Sequence, residues 1–228
     1  MARRKVVRTA GDVRQHPRYS IFEAAEYLRI PASTLKAWIR GQRYRDSHSG
    51  KMREFKPLIE AADPKNKLLS FYNLAEAHLL RSTTEREVPL KNVRKALDYV
   101  RENIKSIHPL LTEEFSTYGK SLFVTHLGQT VNATHHGQVA MTDILEKYLQ
   151  RLEWDETGMP IQIFPIRTTR LAINALLSSG KPVLKGTGVM VSILRDREST
   201  GESIPDIARD YGIEPFEIEQ AIKEFATA

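Results

Sequence analysis

A mixed α+β fold, mostly helical, is what this sequence predicts: an N-terminal winged helix-turn-helix, a β-rich middle module and a small C-terminal helix-turn-helix-like domain. Three observations lead there. Capping residues followed by apolar positions at helical spacing occur near both ends, at 20–40 and 203–225. Two alternating stretches flank the turn-forming DSHSG just after the first pair of helices. Between His108 and Ile166, short apolar runs alternate with glycines. The 228 residues divide accordingly into 1–107, 108–166 and 167–228, each within the usual span of a small domain or module. A hydrophobic fraction of 41% and a charged fraction of 27% are ordinary for a packed core and exclude collagen-like or wholly disordered chains.

The formal net charge of +6 is distributed unevenly. Residues 1–56 carry 14 Lys plus Arg against 5 Asp plus Glu, residues 57–150 carry 11 against 11, and residues 151–228 carry 9 against 12. A segment of net +9 suits neutralisation of a phosphate backbone. Cysteine is absent, which removes disulfides, thiolate nucleophiles and thiolate metal sites. The basic first ten residues are not followed by a signal-length apolar run, and no stretch nears the ~18 apolar residues that span a bilayer. A soluble, cytoplasmic protein with no membrane association is expected.

Ser20 and Glu23 have the spacing of a capping box, and Ile21, Ala24, Ala25 and Leu28 follow on one helical face. Ile30 and Pro31 make a turn, Ser33 or Thr34 begins a second helix, and Gly41 stops it. Leu28, Ile30, Leu35 and Trp38 are expected inward. Ser33, Thr34, Lys36, Ala37 and Arg40 then lie on or beside the face that enters a major groove. The β-hairpin that follows carries Arg43, Arg45, Lys51, Arg53 and Lys56, as a wing lying along phosphates requires. With Arg3 and Arg4 from the basic start, these form the candidate DNA-binding set.

The stretch YSIFEAAEYLRIPASTLKAWIRG and its hairpin resemble the DNA-binding start of MerR-type winged-helix regulators. LLSFYNLAEAHLLRSTTE resembles the third helix of that domain, and VPLKNVRKALDYVRENI its second helical pair, with Val93, Ala96, Leu97 and Val100 on one face. The resemblance covers roughly 18–107. It brings no effector, because metal-sensing members use cysteines.

The runs SLFVTHL, QTVNAT, GQVAM and PIQIFPI are expected as strands, with MTDILEKYLQRLEW a helix whose Ile144, Leu145, Tyr148, Leu149 and Leu152 face inward. This middle is expected to act as linker and dimerisation platform. No motif in it names a chemistry. Gly119-Lys120-Ser121 mimics the end of a phosphate-binding loop, but Glu114 occupies the upstream glycine position. His126, His135 and His136 lack carboxylates at ligand spacing. No nucleophile elbow is present, so no enzyme, cofactor or metal is expected.

Near the C-terminus, Pro182-Val183-Leu184 reads as a strand and Lys185-Gly186-Thr187-Gly188 as a turn. Helices follow over Ser203–Tyr211, with Gly212 as cap, and from Pro215 onward. The shape is a second helix-turn-helix, yet 202–224 holds 7 acidic and 2 basic residues, against 2 and 8 in 29–56. Phosphate repels such a surface, so packing, dimerisation or a basic protein partner fits it better.

This segment resembles a small family of uncharacterised domains found in bacterial antitoxins, through Pro182, Val183, Lys185, Gly186, Thr187, Gly188, Val191, Leu194, Gly201, Ser203, Ile207, Tyr211 and Ile218. The whole chain resembles the longer VapB-class antitoxins. That resemblance implies a homodimer that neutralises a PIN-like ribonuclease toxin and represses its own operon by binding operator DNA. Lys185, Thr187, Arg195, Arg197, Tyr211 and Phe216 are the candidate toxin-binding residues. Gly188 stands where the family often has arginine, so no toxin contact is carried to it. The other reading is a stand-alone MerR-type regulator whose middle module senses a small ligand.

Overall fold

The computed structural model describes residues 11–45, 50, 52–84, 88–130, 135–165 and 170–226, which form a mixed α+β fold. Helix α1 (Ile21–Leu28) starts with the expected capping box. The Glu23 amide donates to Ser20 Oγ at 3.2 Å and the Ser20 amide to Glu23 Oε2 at 2.9 Å. Arg29 ends it in the left-handed conformation (φ 53°), a geometry that costs a residue with a Cβ about 1 kcal/mol. Helix α2 (Ala32–Arg40) begins earlier than Ser33 or Thr34, because Pro31 already holds the backbone dihedral that leads into it. Leu28, Ile30, Leu35 and Trp38 are buried as expected.

Strands β1 (Gln42–Arg45) and β2 (Met52–Phe55) form the antiparallel hairpin, pairing Gln42 with Phe55 and Arg45 with Met52. The Leu58 amide then donates to Trp38 O at 2.7 Å, turning the chain back beneath α2. Helix α3 (Phe71–Thr84) is buried on almost every side and forms the axis of the main core. Helix α4 (Leu90–Asn103) lays Val93, Ala96, Leu97 and Val100 on that core.

The middle departs from expectation. SLFVTHL and the start of QTVNAT lie in a helix, α5 (Lys120–Thr130), and GQVAM lies in α6 (His135–Leu149). Apart from the bend at Thr112, residues 109–149 are therefore helical where described, and a β-rich reading of them is wrong. Phe123, Val124 and Leu127 make a helical stripe that buries against Leu145, and this burial outweighs the strand preference of Val and Thr. Gly119, Gly128 and Gly137 lie in helical backbone and are not strand punctuation, whereas Gly158 does sit in a turn between two strands. At Gly128 in α5 an added Cβ would stand 2.6 Å from Gln138 Cγ of α6, so the glycine lets the two helices approach. Leu145, Tyr148 and Leu149 are buried and Ile144 partly so, as expected, but the helix stops at Leu149, and Leu152 is buried from a strand that pairs into the sheet rather than from the helix.

A four-stranded antiparallel meander follows: β3 (Leu152–Trp154), β4 (Pro160–Ile163), β5 (Leu171–Asn174) and β6 (Pro182–Leu184). PIQIFPI thus supplies a strand as expected. The division at 166/167 falls between β4 and β5, whose Gln162 faces Asn174 in one continuous sheet. Three helices close the chain: α7 (Val191–Ser199), α8 (Ile204–Tyr211), capped by the Ser203 hydroxyl and ended by left-handed Gly212, and α9 (Pro215–Ala226).

The two ends are fastened together. Tyr19, just ahead of α1, donates its hydroxyl to Gly180 O at 3.0 Å, and Tyr27 of α1 packs on Phe225 of α9 at 6.4 Å. Arg14 bridges Asp12 at 2.9 Å and Asp155 at 2.5 Å. Ile163 and Ile173 of the sheet join the core cluster built by α1–α6. Among the described residues, no helix is long and apolar enough to cross a membrane.

Candidate nucleic-acid interface

Helix α2 stands as a ridge between two clefts. On one flank a cleft of about 410 Å³ includes Ser33, Lys36 and Arg40; on the other, one of about 310 Å³ includes Thr34 and Ala37 together with Thr83 and Thr84 of α3. Ser33, Lys36 and Arg40 are exposed, and Thr34 and Ala37 are half-buried, so all five predicted α2 residues sit on the outer face. Leu35, Trp38 and Ile39 anchor the inner face. Among the described residues, neither Lys36 nor Arg40 has a carboxylate partner, and a backbone phosphate meets no internal competitor there.

Arg43 and Arg45 lie on β1 and Arg53 on β2, on the hairpin directly after Gly41 ends α2. Arg3, Arg4 and Lys51 fall outside the described residues. Two other basic residues support the site from behind. Arg81 donates to Leu28 O at 2.6 Å, closing the end of α1, and Arg101 donates to Leu58 O at 2.6 Å, holding the segment that leaves the hairpin.

The C-terminal candidates do not form one constellation. Lys185 lies over the Phe164 ring at 4.8 Å, and the Thr187 hydroxyl braces the turn by donating to Leu184 O at 2.9 Å and accepting from the Val189 amide at 3.1 Å. Arg195 stacks over Phe225 at 5.1 Å. Arg197 and Tyr211 do meet, at 5.3 Å, but Arg197 also grips Glu202 and Asp210, so it braces α7 to α8. Those carboxylates hold its guanidinium pKa above the usual value. Phe216 is 57% exposed under Arg170 at 5.2 Å.

Arg170 is a residue that sequence reasoning missed. It pairs with Glu217 at 2.5 Å and Glu224 at 3.6 Å from outside the acidic segment. Arg209 takes Asp206 at 2.7 Å and Lys223 takes Glu219 at 2.6 Å. Only Glu214 of the acids in 202–224 is without a cationic partner among the described residues, which weakens the field that their number implies.

The histidines divide in the same way between packing and silence. His126 stacks flat on Tyr99 at 4.8 Å. His135 and His136 begin α6, and their side chains lie outside the described set. Among the described residues no group of His, Asp and Glu is arranged to hold a metal. Lys120 of the loop-like tripeptide pairs with Glu146 at 2.6 Å. The cavity between α3, α5 and α6 measures about 10 Å³, at the lower limit for a single water.

Comparisons with known proteins follow this division. Residues 17–97 match a family model described as "Putative DNA-binding HTH domain", and residues 171–224 one described as "Protein of unknown function (DUF433)". The chain is 25% identical over 227 residues to "Putative antitoxin VapB45" of Mycobacterium tuberculosis, covering 92% of this chain and 94% of that protein. A second protein of that organism, Rv2308, is 24% identical over 219 residues, covering 90% and 88%. The crystal structure of Rv2018, also from M. tuberculosis, superposes with a TM-score of 0.65 at 21% identity over 91% of this chain and 97% of that one. At that identity the likeness is one of fold alone.

Proposed function

We propose that the protein is an antitoxin that binds operator DNA through α2 and the β1–β2 hairpin and neutralises a protein toxin through its C-terminal segment. The observation that carries the reading is the outward face of α2, where Ser33, Lys36 and Arg40 stand exposed between two clefts while the opposite face is locked into the core. A relative named as an antitoxin along nearly the whole chain supports the toxin partner. In this reading the toxin is a PIN-like ribonuclease, the protein acts as a homodimer on a two-fold operator, and it represses its own operon in the cytoplasm. It is a binding protein and not an enzyme.

Arg43, Arg45 and Arg53 contact backbone phosphates, Ser33, Thr34 and Ala37 meet base edges, and Lys36 and Arg40 serve both. Gel-shift titration on the DNA upstream of its own reading frame is the test. Affinity is expected to fall steeply with salt, and Lys36→Ala with Arg43→Ala and Arg45→Ala is expected to flatten that dependence by about one unit of slope for each phosphate left unneutralised. Affinity indifferent to salt rejects DNA binding. Co-expression with the adjacent reading frame and size-exclusion chromatography tests the toxin: a stable complex is expected, and separate elution rejects it.

A further inference from the structure

The larger cleft beside α2 has a second wall that the helix-turn-helix does not supply. Lys36 and Arg40 line it from α2 and Asn66 and Lys67 from a separate loop, with Phe22 and Leu68 among the apolar residues of its lining. The second wall is a hairpin loop in which Asp63 and Leu68 exchange backbone hydrogen bonds of 3.0 and 3.2 Å. Pro64 and Asn66 are turn formers, and the loop holds Lys67 in the left-handed conformation at φ 59°.

Among the described residues, no carboxylate lines this cleft. The nearby acid, Asp63, is committed within its own loop. Its Oδ1 accepts from the amides of Lys65 at 2.9 Å and Asn66 at 3.0 Å, and its Oδ2 from the Asn66 side-chain amide at 2.7 Å. Lys65 is exposed beside it; after the Asn66 hydrogen bonds, Lys67 is near enough to Asp63 to help hold that acid's pKa down, but among the described residues neither lysine closes an ion pair within 4.0 Å. Phe22, 74% exposed, stands at the same cleft.

Cations on both walls with an apolar surface between them suit a sugar-phosphate strand. Phosphates meet the ammonium and guanidinium groups, while deoxyribose faces cover Phe22 and Leu68. We propose that the Asp63–Leu68 loop is a third DNA-contacting element, clamping the backbone strand beside the groove that α2 enters, with Lys65 and Lys67 each neutralising a phosphate. The inference rests on the DNA-binding reading above and extends its footprint beyond helix and hairpin.

The test is gel-shift titration of the full chain, from low to high salt, on its upstream DNA and on a random duplex of equal length. The variant is Lys65→Ala with Lys67→Asn, since asparagine tolerates the left-handed backbone. At a slope of about 0.9 per phosphate, removing one lysine–phosphate pair weakens binding about eightfold at 0.1 M salt, equally on both duplexes. The salt slope should therefore fall by nearly two units. Lys65→Ala alone, at an exposed site, should lower it by about one and keeps the test valid if the double variant unfolds. Lys67→Arg should retain wild-type slope. Unchanged slope and affinity in the double variant, with Lys36→Ala still weakening binding, overturns this inference alone. A wild-type chain that binds neither duplex overturns both readings.

Discussion

Gly180 shows how much can depend on one missing Cβ. Its φ is 73°, and a Cβ built there would lie 2.0 Å from the Tyr19 hydroxyl that donates to its carbonyl. Gly180→Ala therefore combines a left-handed backbone penalty with a clash, on the order of 3 kcal/mol together. Tyr19→Phe should cost only about 1 kcal/mol, the net value of the hydrogen bond, and should relieve much of the clash when combined with Gly180→Ala. Urea denaturation of the four proteins measures this, and strictly additive losses would argue against direct contact. Two histidines set the response to pH. His78 is fully buried and its pKa is pushed down to about 3, so below the unfolded value near 6.5 the unfolded chain binds the extra proton. Stability should fall by up to about 1.4 kcal/mol per pH unit below pH 6.5, and His78→Leu should flatten that limb. For His108, burial opposes protonation but Glu76, at 3.2 Å, outweighs it and raises the pKa. Its contribution is complete below pH 6.5 and is lost as pH rises through the raised value. Equilibrium unfolding between pH 5 and 8 should show maximal stability near the middle of that range.

Elements differed in how far the sequence exposed them. The capping box at Ser20 and Glu23, the stop at Gly41 and the Ser203–Gly212 helix were legible because each depends on residues three to nine apart. Helices α5 and α6 were not, since Val, Thr and Gly favour strands and turns until a partner surface is present, and that surface comes from α3 and α4. The Asp63–Leu68 loop has a readable signal in Asp63, Pro64 and Asn66, but a turn signal alone does not say that the loop stands across a cleft from α2. For the site, the outer residues of α2 could be chosen from helical spacing alone. The C-terminal candidates could not, because Arg197, chosen as a partner contact, is committed to Glu202 and Asp210 within the chain, a pairing that helical spacing does not reveal. Trp38, 2% exposed, anchors α2 to the core, so Trp38→Ala should cost about 3–5 kcal/mol in urea unfolding and abolish DNA binding. Arg197→Met, by contrast, breaks solvent-screened ion pairs and should leave the urea midpoint close to that of the wild type.

At the scale of the molecule, the opposite charges of the two ends do not mark independent bodies. The Tyr27–Phe225 and Tyr19–Gly180 contacts, and the Ile163 and Ile173 side chains in the main core, join the helix-turn-helix to the sheet and to α9. Calorimetry of the full chain should show one cooperative transition, and a fragment ending at residue 107 should melt well below it. Two separated transitions in the intact chain would contradict this coupling.

The hydroxyl of Tyr19 finds its acceptor 161 residues further along the chain. A ribosome releases the first helix long before residue 180 or Phe225 emerges, so the start of α1 must wait for these later residues before its packing is complete. Chains that stop short of residue 180 consequently lack the finished packing at the start of α1, and under the DNA-binding reading proposed above they should bind DNA more weakly than chains that include it.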